Sequence, residues 1–308
     1  MNFLRYHDAK EILNWQEAIE ALHAGHLLPR ATMHDCLMGP EQGMLLNRTA
    51  RVEGLGYGVK VESVFNLNAR EGLPNTHGVV LVYAADNGIL RGVIDSHIIT
   101  DLKTAADSVL GATILARPDS KHLVILGAGR VAANLVQAYS ALFPQLEKIS
   151  IWSRRLEQAQ ALIARLEPCA IPLSAVSDLS SALHTADIIS SATLAQQPLI
   201  FGEWIRPGTH VDLIGAFTAD AREADDTLMA KARVYVDNHE TTCNTGEIAL
   251  PIKSGIVPQN YVEGDLYDLV NPDHSFVRTA DDITVYKNAG GAHFDLMIAH
   301  RMLLKKGL

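Results

Sequence analysis

Cysteine is scarce: Cys36, Cys169 and Cys243 are the only three in 308 residues, and no two form a Cys-x-x-Cys pair. A disulfide framework, a zinc knuckle and a redox dithiol are therefore absent from the pattern, and free thiols in a reducing cytoplasm are expected. Long apolar runs are missing too, with no 18 consecutive apolar residues, and MNFLRYHDAKEILNW lacks the basic-then-apolar order of a secretory leader. No membrane partner is expected. Basic residues are outnumbered, Lys+Arg 26 against Asp+Glu 35, and a net charge of -9 repels polyphosphate, which argues against nucleic acid. The thirteen histidines include no His-Glu-x-x-His or His-x-His spacing, so no metal site is expected.

What is present is an ordinary globular composition, 48% apolar and 20% charged, in a chain long enough for two hydrophobic cores. Asn14 heads a helical pattern through Trp15, Ile19 and Leu22, with Gly25 as a stop. From 43 to 100 the runs GVKVESVF, GVVLVYAA and GVIDSHIIT alternate with turn signals, which predicts an antiparallel meander with a hairpin turn at Asp86-Asn87-Gly88. Residues 101–117 return to helical spacing, and Pro118 begins a break that marks a domain boundary. Beyond it strands and helices alternate, the pattern of a parallel, doubly wound sheet. The last stretch sets Phe294, Met297, Ile298, Arg301 and Met302 along one side of a helix that can pack back onto the first domain. The fold class read from this is α/β: a Rossmann domain over 118–289 and a discontinuous α+β domain from 1–117 and 290–308.

In HLVILGAGRVAANLVQAYSAL a strand, a Gly-rich turn and a helix follow one another directly. Gly127 permits the tight turn, Gly129 lets the backbone approach a pyrophosphate, and Ala132 allows close helix–sheet contact. The helix opening at Arg130 and Val131 offers N–H groups and positive potential to phosphates. The expectation is a nicotinamide-dependent oxidoreductase. The second strand ends in Trp152-Ser153-Arg154-Arg155, without the acid that holds the ribose hydroxyls of NAD. Ser153, Arg154 and Arg155 either accept a 2'-phosphate through charge-assisted bonds or cap a solvated helix start. The cofactor is read as NADP or NAD, with a lean to NADP. Ala192 and Thr193, at the end of the strand-like ADIISSA, complete the expected cofactor contacts.

A hydride donor does not name a substrate. Lys60, in GVKVESVF, faces opposite to Val59 and Val61 and is either a solvated lysine or a charge held over a substrate carboxylate or imine nitrogen. Lys103 and Asp107 have the spacing of a helical surface pair. Arg30, Arg48 and Arg51 are candidate carboxylate readers whose spacing does not show convergence. Asp295 reads as an acid stabilised at a helix N-terminus.

The stretches GVKVESVFNLNAREGLPNTHG, IITDLKTAADSVLGATILARPD, LVILGAGRVAANLVQAY and ITVYKNAGGAHFDLMIA together resemble the ornithine cyclodeaminase/mu-crystallin family, from residue 15 or so to 304. The resemblance implies a homodimer whose discontinuous first domain binds substrate and dimerises. It implies chemistry on a small α-imino acid beside a nicotinamide, with Lys60 as the active-site lysine. Arg30, Arg48, Lys103 and Asp295 form the expected substrate-binding set, Arg30 on the α-carboxylate. Lys103 stands where many members have arginine, which keeps the charge and loses the bidentate fork. Two departures bear on the reaction. The acid with which cyclodeaminases handle the amine is replaced by Phe217, with Asp220 three residues on, and Met44-Leu45-Leu46-Asn47-Arg48 lacks the acid near the family's Met-Pro motif. The expectation is therefore NAD(P)H-dependent reduction of a cyclic ketimine such as 1-pyrroline-2-carboxylate, or of iminosuccinate if Arg48 reads a second carboxylate, to an L-amino acid. An ornithine cyclodeaminase that recycles NAD, and a non-catalytic mu-crystallin-like protein that binds NADP and a small ligand, are the alternatives.

Overall fold

Period-2 patterning in the first third of the chain produces strands β1 (Phe3–Leu4), β2 (Thr32–Met38), β3 (Met44–Val52), β4 (Gly56–Val64), β5 (Thr76–Tyr83) and β6 (Leu90–Asp95). They form one sheet in the order β1-β6-β5-β4-β3-β2, antiparallel except for β1 beside β6. These are seen in a computed structural model that describes residues 3–40, 42–166, 168–273 and 276–308. β2 is mostly exposed, so its sequence TMHDCLM carries no alternation to read. Gly88, at φ +70°, makes the turn between β5 and β6.

The helix Trp15–His26 is closed at its start by a capping box, in which Asn14 accepts from the Glu17 N–H and Glu17 accepts from the Asn14 N–H, each at 2.9 Å. Gly25 does not stop this helix. It is the point where Met297 packs, and a Cβ there would collide with the Met297 side chain. The run GVIDSHIIT also divides where alternation predicted continuous strand. Asp95 Oδ1 accepts the His97 N–H at 2.9 Å, a capping bond that starts the helix Ser96–Leu115 and carries Ile98 and Ile99 into it against their β propensity.

The chain divides into two compact units, 1–106 with 291–308, and 107–290. The division falls inside the helix Ser96–Leu115, ahead of the Pro118 break. In the first unit the closing helix Ala292–Lys305 is covered along nearly its whole length, with Phe294, Met297, Ile298 and Met302 buried. The second unit holds β7 (His122–Leu126), β8 (Lys148–Trp152), β9 (Leu173–Val176), β10 (Ile188–Ser191), β11 (His210–Leu213), β12 (Arg233–Val236), β13 (Val262–Asp265) and β14 (Thr284–Lys287). All pair in parallel in the order β13-β12-β14-β11-β10-β7-β8-β9, and central strands such as β7 are buried at every position. This is a doubly wound sheet, whose ligand crevice belongs at the carboxyl ends of the strands.

Phe294 is wholly buried, so Phe294→Ala is expected to cost about 3–5 kcal/mol. The shift of the urea unfolding midpoint, followed by far-UV circular dichroism, measures it.

Candidate functional site

The crevice at the carboxyl ends of β7, β8 and β10 is a cleft of about 620 Å³ lined by Gly127, Gly129, Ser153, Arg154, Ala192 and Thr193, among others. Gly127 sits at φ +116°, and a Cβ there would lie 2.6 Å from the Ala192 carbonyl oxygen. Gly129 is different: beyond its own chain neighbours, no atom of the described residues lies within 4 Å of where its Cβ would be, so the space is left for a ligand's close approach. Gly129 caps the helix Arg130–Leu142, whose first turn, beginning at Arg130 and Val131, carries the positive end of the helix dipole. These residues fit a dinucleotide pyrophosphate. Arg154 lines the cleft, and the Ser153 hydroxyl donates to Gln158 Oε1 at 3.1 Å. Arg155 is the N-cap residue of the next helix and is outside the cleft lining.

Behind this cleft the sheet buries ionisable groups. Asp212, on β11, accepts from Ser190 Oγ at 2.5 Å and Ser108 Oγ at 2.9 Å. Burial pushes its carboxyl up to about 7, against those hydrogen bonds and the nearby Lys287 charge. Glu247 is likewise raised by burial to about 7. Lys287 is fully buried and donates to the carbonyls of Leu213 and Asn288 at 3.1 and 3.2 Å. Asp107 is also buried and accepts from Tyr286 Oη at 2.6 Å, and Lys103 is buried as well, so the two are no surface pair.

In the first unit, β4 inverts the usual sense of its alternation. Gly58, Lys60 and Glu62 occupy the covered face, while Val59 and Val61 are half-buried on the other. Lys60, 6% exposed, donates to Thr100 Oγ1 at 2.7 Å, with Glu62 Oε2 at 3.5 Å and Asp295 Oδ1 at 3.7 Å. Ser96 Oγ donates to Glu62 Oε1 at 2.8 Å. Ser96, Thr100 and Lys103 lie on one face of their helix at i, i+4 and i+7. Asp295 stands in the first turn of the closing helix, where the dipole favours it, yet among the described residues both its oxygens are buried without a hydrogen-bond partner. Its compensation is the Lys60 ammonium.

Cations gather beside this trio. Strand register sets Arg48 directly opposite Lys60, and Arg48 Nε donates to Asp35 Oδ2 at 2.9 Å across the next pair. Lys103 Nζ lies 6.0 Å from the centre of the Phe294 ring. His26 and His293 stack edge to face with centroids 5.2 Å apart. Burial lowers His26 to about 4 and His293 well below its usual value; the charge of Arg30 adds to the first shift, and those of Lys103 and Arg48 to the second. The charges of Arg30, Arg48 and Lys103 are each felt at one of the two histidines. Arg51, on β3, faces the opposite side of the sheet, because register pairs it with Tyr57. Sequence spacing does not point to the histidine pair, whereas Glu62 lies two residues from Lys60 and hence on its face.

Phe217 is 64% exposed, and Asp220 accepts from Thr218 Oγ1 at 2.7 Å. Residues 41–303 match the ornithine cyclodeaminase/mu-crystallin family. The chain belongs to that family. It is 56% identical over 298 residues to the Delta(1)-pyrroline-2-carboxylate reductase of Paracoccus denitrificans, covering 96% of this chain and 94% of that protein. Mouse ketimine reductase mu-crystallin is 30% identical over 240 residues, 78% of this chain and 73% of its own. Among solved structures, Thermococcus litoralis Delta(1)-pyrroline-2-carboxylate reductase in complex with NADH and L-proline superposes with a TM-score of 0.92 at 27% identity, covering 99% of this chain and 97% of that one. Lys60 and Gly127–Gly129, at the centres of the two clusters, both lie within the matched residues.

Asp212 holds in the folded state a proton that the unfolded chain releases near the ordinary aspartate value of 3.8. Its contribution to stability is full below that value and is lost as pH rises toward 7. Relative to Asp212→Asn, the wild type is expected to lose up to about 1.4 kcal/mol per pH unit between roughly pH 4 and pH 7. Urea unfolding of both proteins at several pH values in that window reads the difference.

Proposed function

We propose that this chain is an NAD(P)H-dependent imine reductase that converts a cyclic ketimine monocarboxylate, of the 1-pyrroline-2-carboxylate class, to the L-amino acid. The observation that carries the reading is the buried Lys60 ammonium, oriented by Thr100, Glu62 and Asp295 and set next to the Arg30, Arg48 and Lys103 cluster. The nicotinamide, when bound, supplies hydride to the imine carbon. The cations hold the substrate carboxylate, and Lys60 orients the imine and serves its nitrogen with a proton. The names of the Paracoccus denitrificans and mouse relatives support the reaction class, and L-proline bound to the Thermococcus litoralis enzyme supports a five-membered ring.

Asp35 supports a monocarboxylate over iminosuccinate. Its ion pair with Arg48 offsets the charge that a second substrate carboxylate needs. Phe217, in the place of the cyclodeaminase acid, and Asp220, tied to Thr218, support a reductase that consumes its hydride over a cyclodeaminase that returns it. For the cofactor, Arg154 in the cleft and the missing acid after β8 support NADP. A homodimer fits the half-exposed apolar stripe of Val59, Val61, Val79 and Leu81 on the other sheet face, and three free cysteines fit the cytoplasm.

Lys60→Met is expected to lower kcat/KM for 1-pyrroline-2-carboxylate by at least about 100-fold. It should also destabilise the fold by about 3–5 kcal/mol, because Asp295 and Glu62 lose their counter-charge. Steady-state assays and thermal melts check the two parts, while undiminished NADPH binding confirms that the cleft survives. Arg154→Ala is expected to reduce kcat/KM for NADPH by about 10-fold or more and to spare NADH, the loss of one charge-assisted phosphate contact. Equal loss with both cofactors would remove Arg154 from 2'-phosphate recognition.

A further inference from the structure

Half of the dinucleotide cleft's wall is a loop, residues 192–199, and both of its ends are fastened to one residue, Glu223. At the near end Glu223 Oε1 accepts from Ser191 Oγ at 2.6 Å, from the Thr193 N–H at 3.0 Å and from Thr193 Oγ1 at 2.7 Å. At the far end the Glu223 carbonyl accepts the N–H groups of Leu199 and Ile200, both at 2.9 Å. Glu223 Oε2 accepts the Gly215 N–H at 2.6 Å, which ties in the segment that leaves β11. The two segments touch so closely that a Cβ at Gly215 would collide with the Thr193 carbonyl.

Glu223 is itself fixed. It is fully buried, and Glu247 accepts its backbone N–H at 2.7 Å and that of Ala224 at 3.0 Å. A buried carboxylate that collects four hydrogen bonds from two strand ends sets their relative position, because each bond left unmade there carries a desolvation cost. Between the two fastened ends, Leu194 is presented 86% exposed while lining the cleft. An apolar side chain held out on an anchored cleft wall offers a contact surface to whatever fills the cleft.

We propose that Glu223 is a positioning residue for the dinucleotide, holding the 192–199 loop so that Leu194 packs against the bound cofactor. This rests on the reading of the cleft as a dinucleotide site. Neither residue bears on the 2'-phosphate, so NADH and NADPH are affected alike. Glu223→Gln keeps the shape but replaces one oxygen by an NH2 group, which turns a donor toward Gly215 or toward Ser191 and Thr193.

The test is fluorescence titration of NADH and NADPH into wild type, Glu223→Gln, Thr193→Val and Leu194→Ala, with melting temperatures and the KM for 1-pyrroline-2-carboxylate measured at saturating cofactor. Glu223→Gln is expected to raise both dissociation constants about 10-fold, and Leu194→Ala about 3- to 10-fold with no change in melting temperature. The imine KM should move less than about 2-fold in each case. Thr193→Val removes a single donor and should raise both constants about 3-fold, and it carries the test if Glu223→Gln does not fold. A lower melting temperature for Glu223→Gln with unchanged dissociation constants overturns the positioning role, as does unchanged binding in both Thr193→Val and Leu194→Ala. If the wild type binds neither dinucleotide, it is the reading of the cleft that fails.

Discussion

An ammonium group on the covered face of a β-sheet must be compensated where it lies, and the first unit is organised around that requirement. Lys60 cannot reach water along its own strand, so its partners come from three directions: Glu62 from β4, Thr100 from the helix Ser96–Leu115, and Asp295 from the closing helix. Asp295 is the costly member, since among the described residues its oxygens accept no hydrogen bond and its charge is met by Lys60 and the helix dipole. The requirement explains why residues 291–308 belong to the first unit although the whole second unit intervenes in sequence. Without the returning helix, Lys60 would lack one of its two acids and Gly58 would lack the Leu296 contact that covers the strand beside it.

The second unit solves a different problem with the same chemistry. A parallel sheet ends with the carbonyls and loops of its strands at one edge, and those loops must be held without a neighbouring strand to pair with. Buried carboxylates do this: Asp212 gathers Ser108 and Ser190, Glu223 gathers the ends of β10 and β11, and Asp237 accepts the N–H groups of Ala289 and Gly290 beyond β14. Burial, with a smaller push from the Glu223 charge, raises Asp212 and Glu247, while the Lys287 charge acts the other way on both. The cleft inherits its shape from this network.

Much of this was legible in the sequence. Gly127 and Gly129 announce themselves because each does something that only glycine does, one by its φ and the other by leaving room. Period-2 alternation put Lys60 opposite its valine neighbours, but alternation gives the two faces without saying which is covered. The valines looked like the inward set and are the half-exposed one. Arg48 meets Lys60 through hairpin register, and Asp295 meets it through tertiary return, neither of which local spacing contains. In LIGAFTADARE, Asp220 stood out because it lay near the position of a family acid. The acid with structural consequence is Glu223, identified only by donors arriving from Ser191, Thr193 and Gly215.

The histidine pair beside the cations sharpens the account of substrate charge. His26 and His293 are wholly buried, and burial keeps both imidazoles neutral across the physiological range. They therefore contribute shape and polar edges to the cluster but no charge that varies with pH. On the proposed reading a substrate carboxylate is drawn by Arg30, Arg48 and Lys103, and guanidinium groups do not deprotonate in proteins. With Asp35 drawing on Arg48, the cluster's surplus positive charge suits one carboxylate. The opposite end of the site, Glu62 and Asp295 around Lys60, is acidic. On that reading a molecule with a carboxylate at one end and a protonatable imine nitrogen at the other matches both the cations and the acids around Lys60, whereas a second carboxylate would meet Glu62 and Asp295.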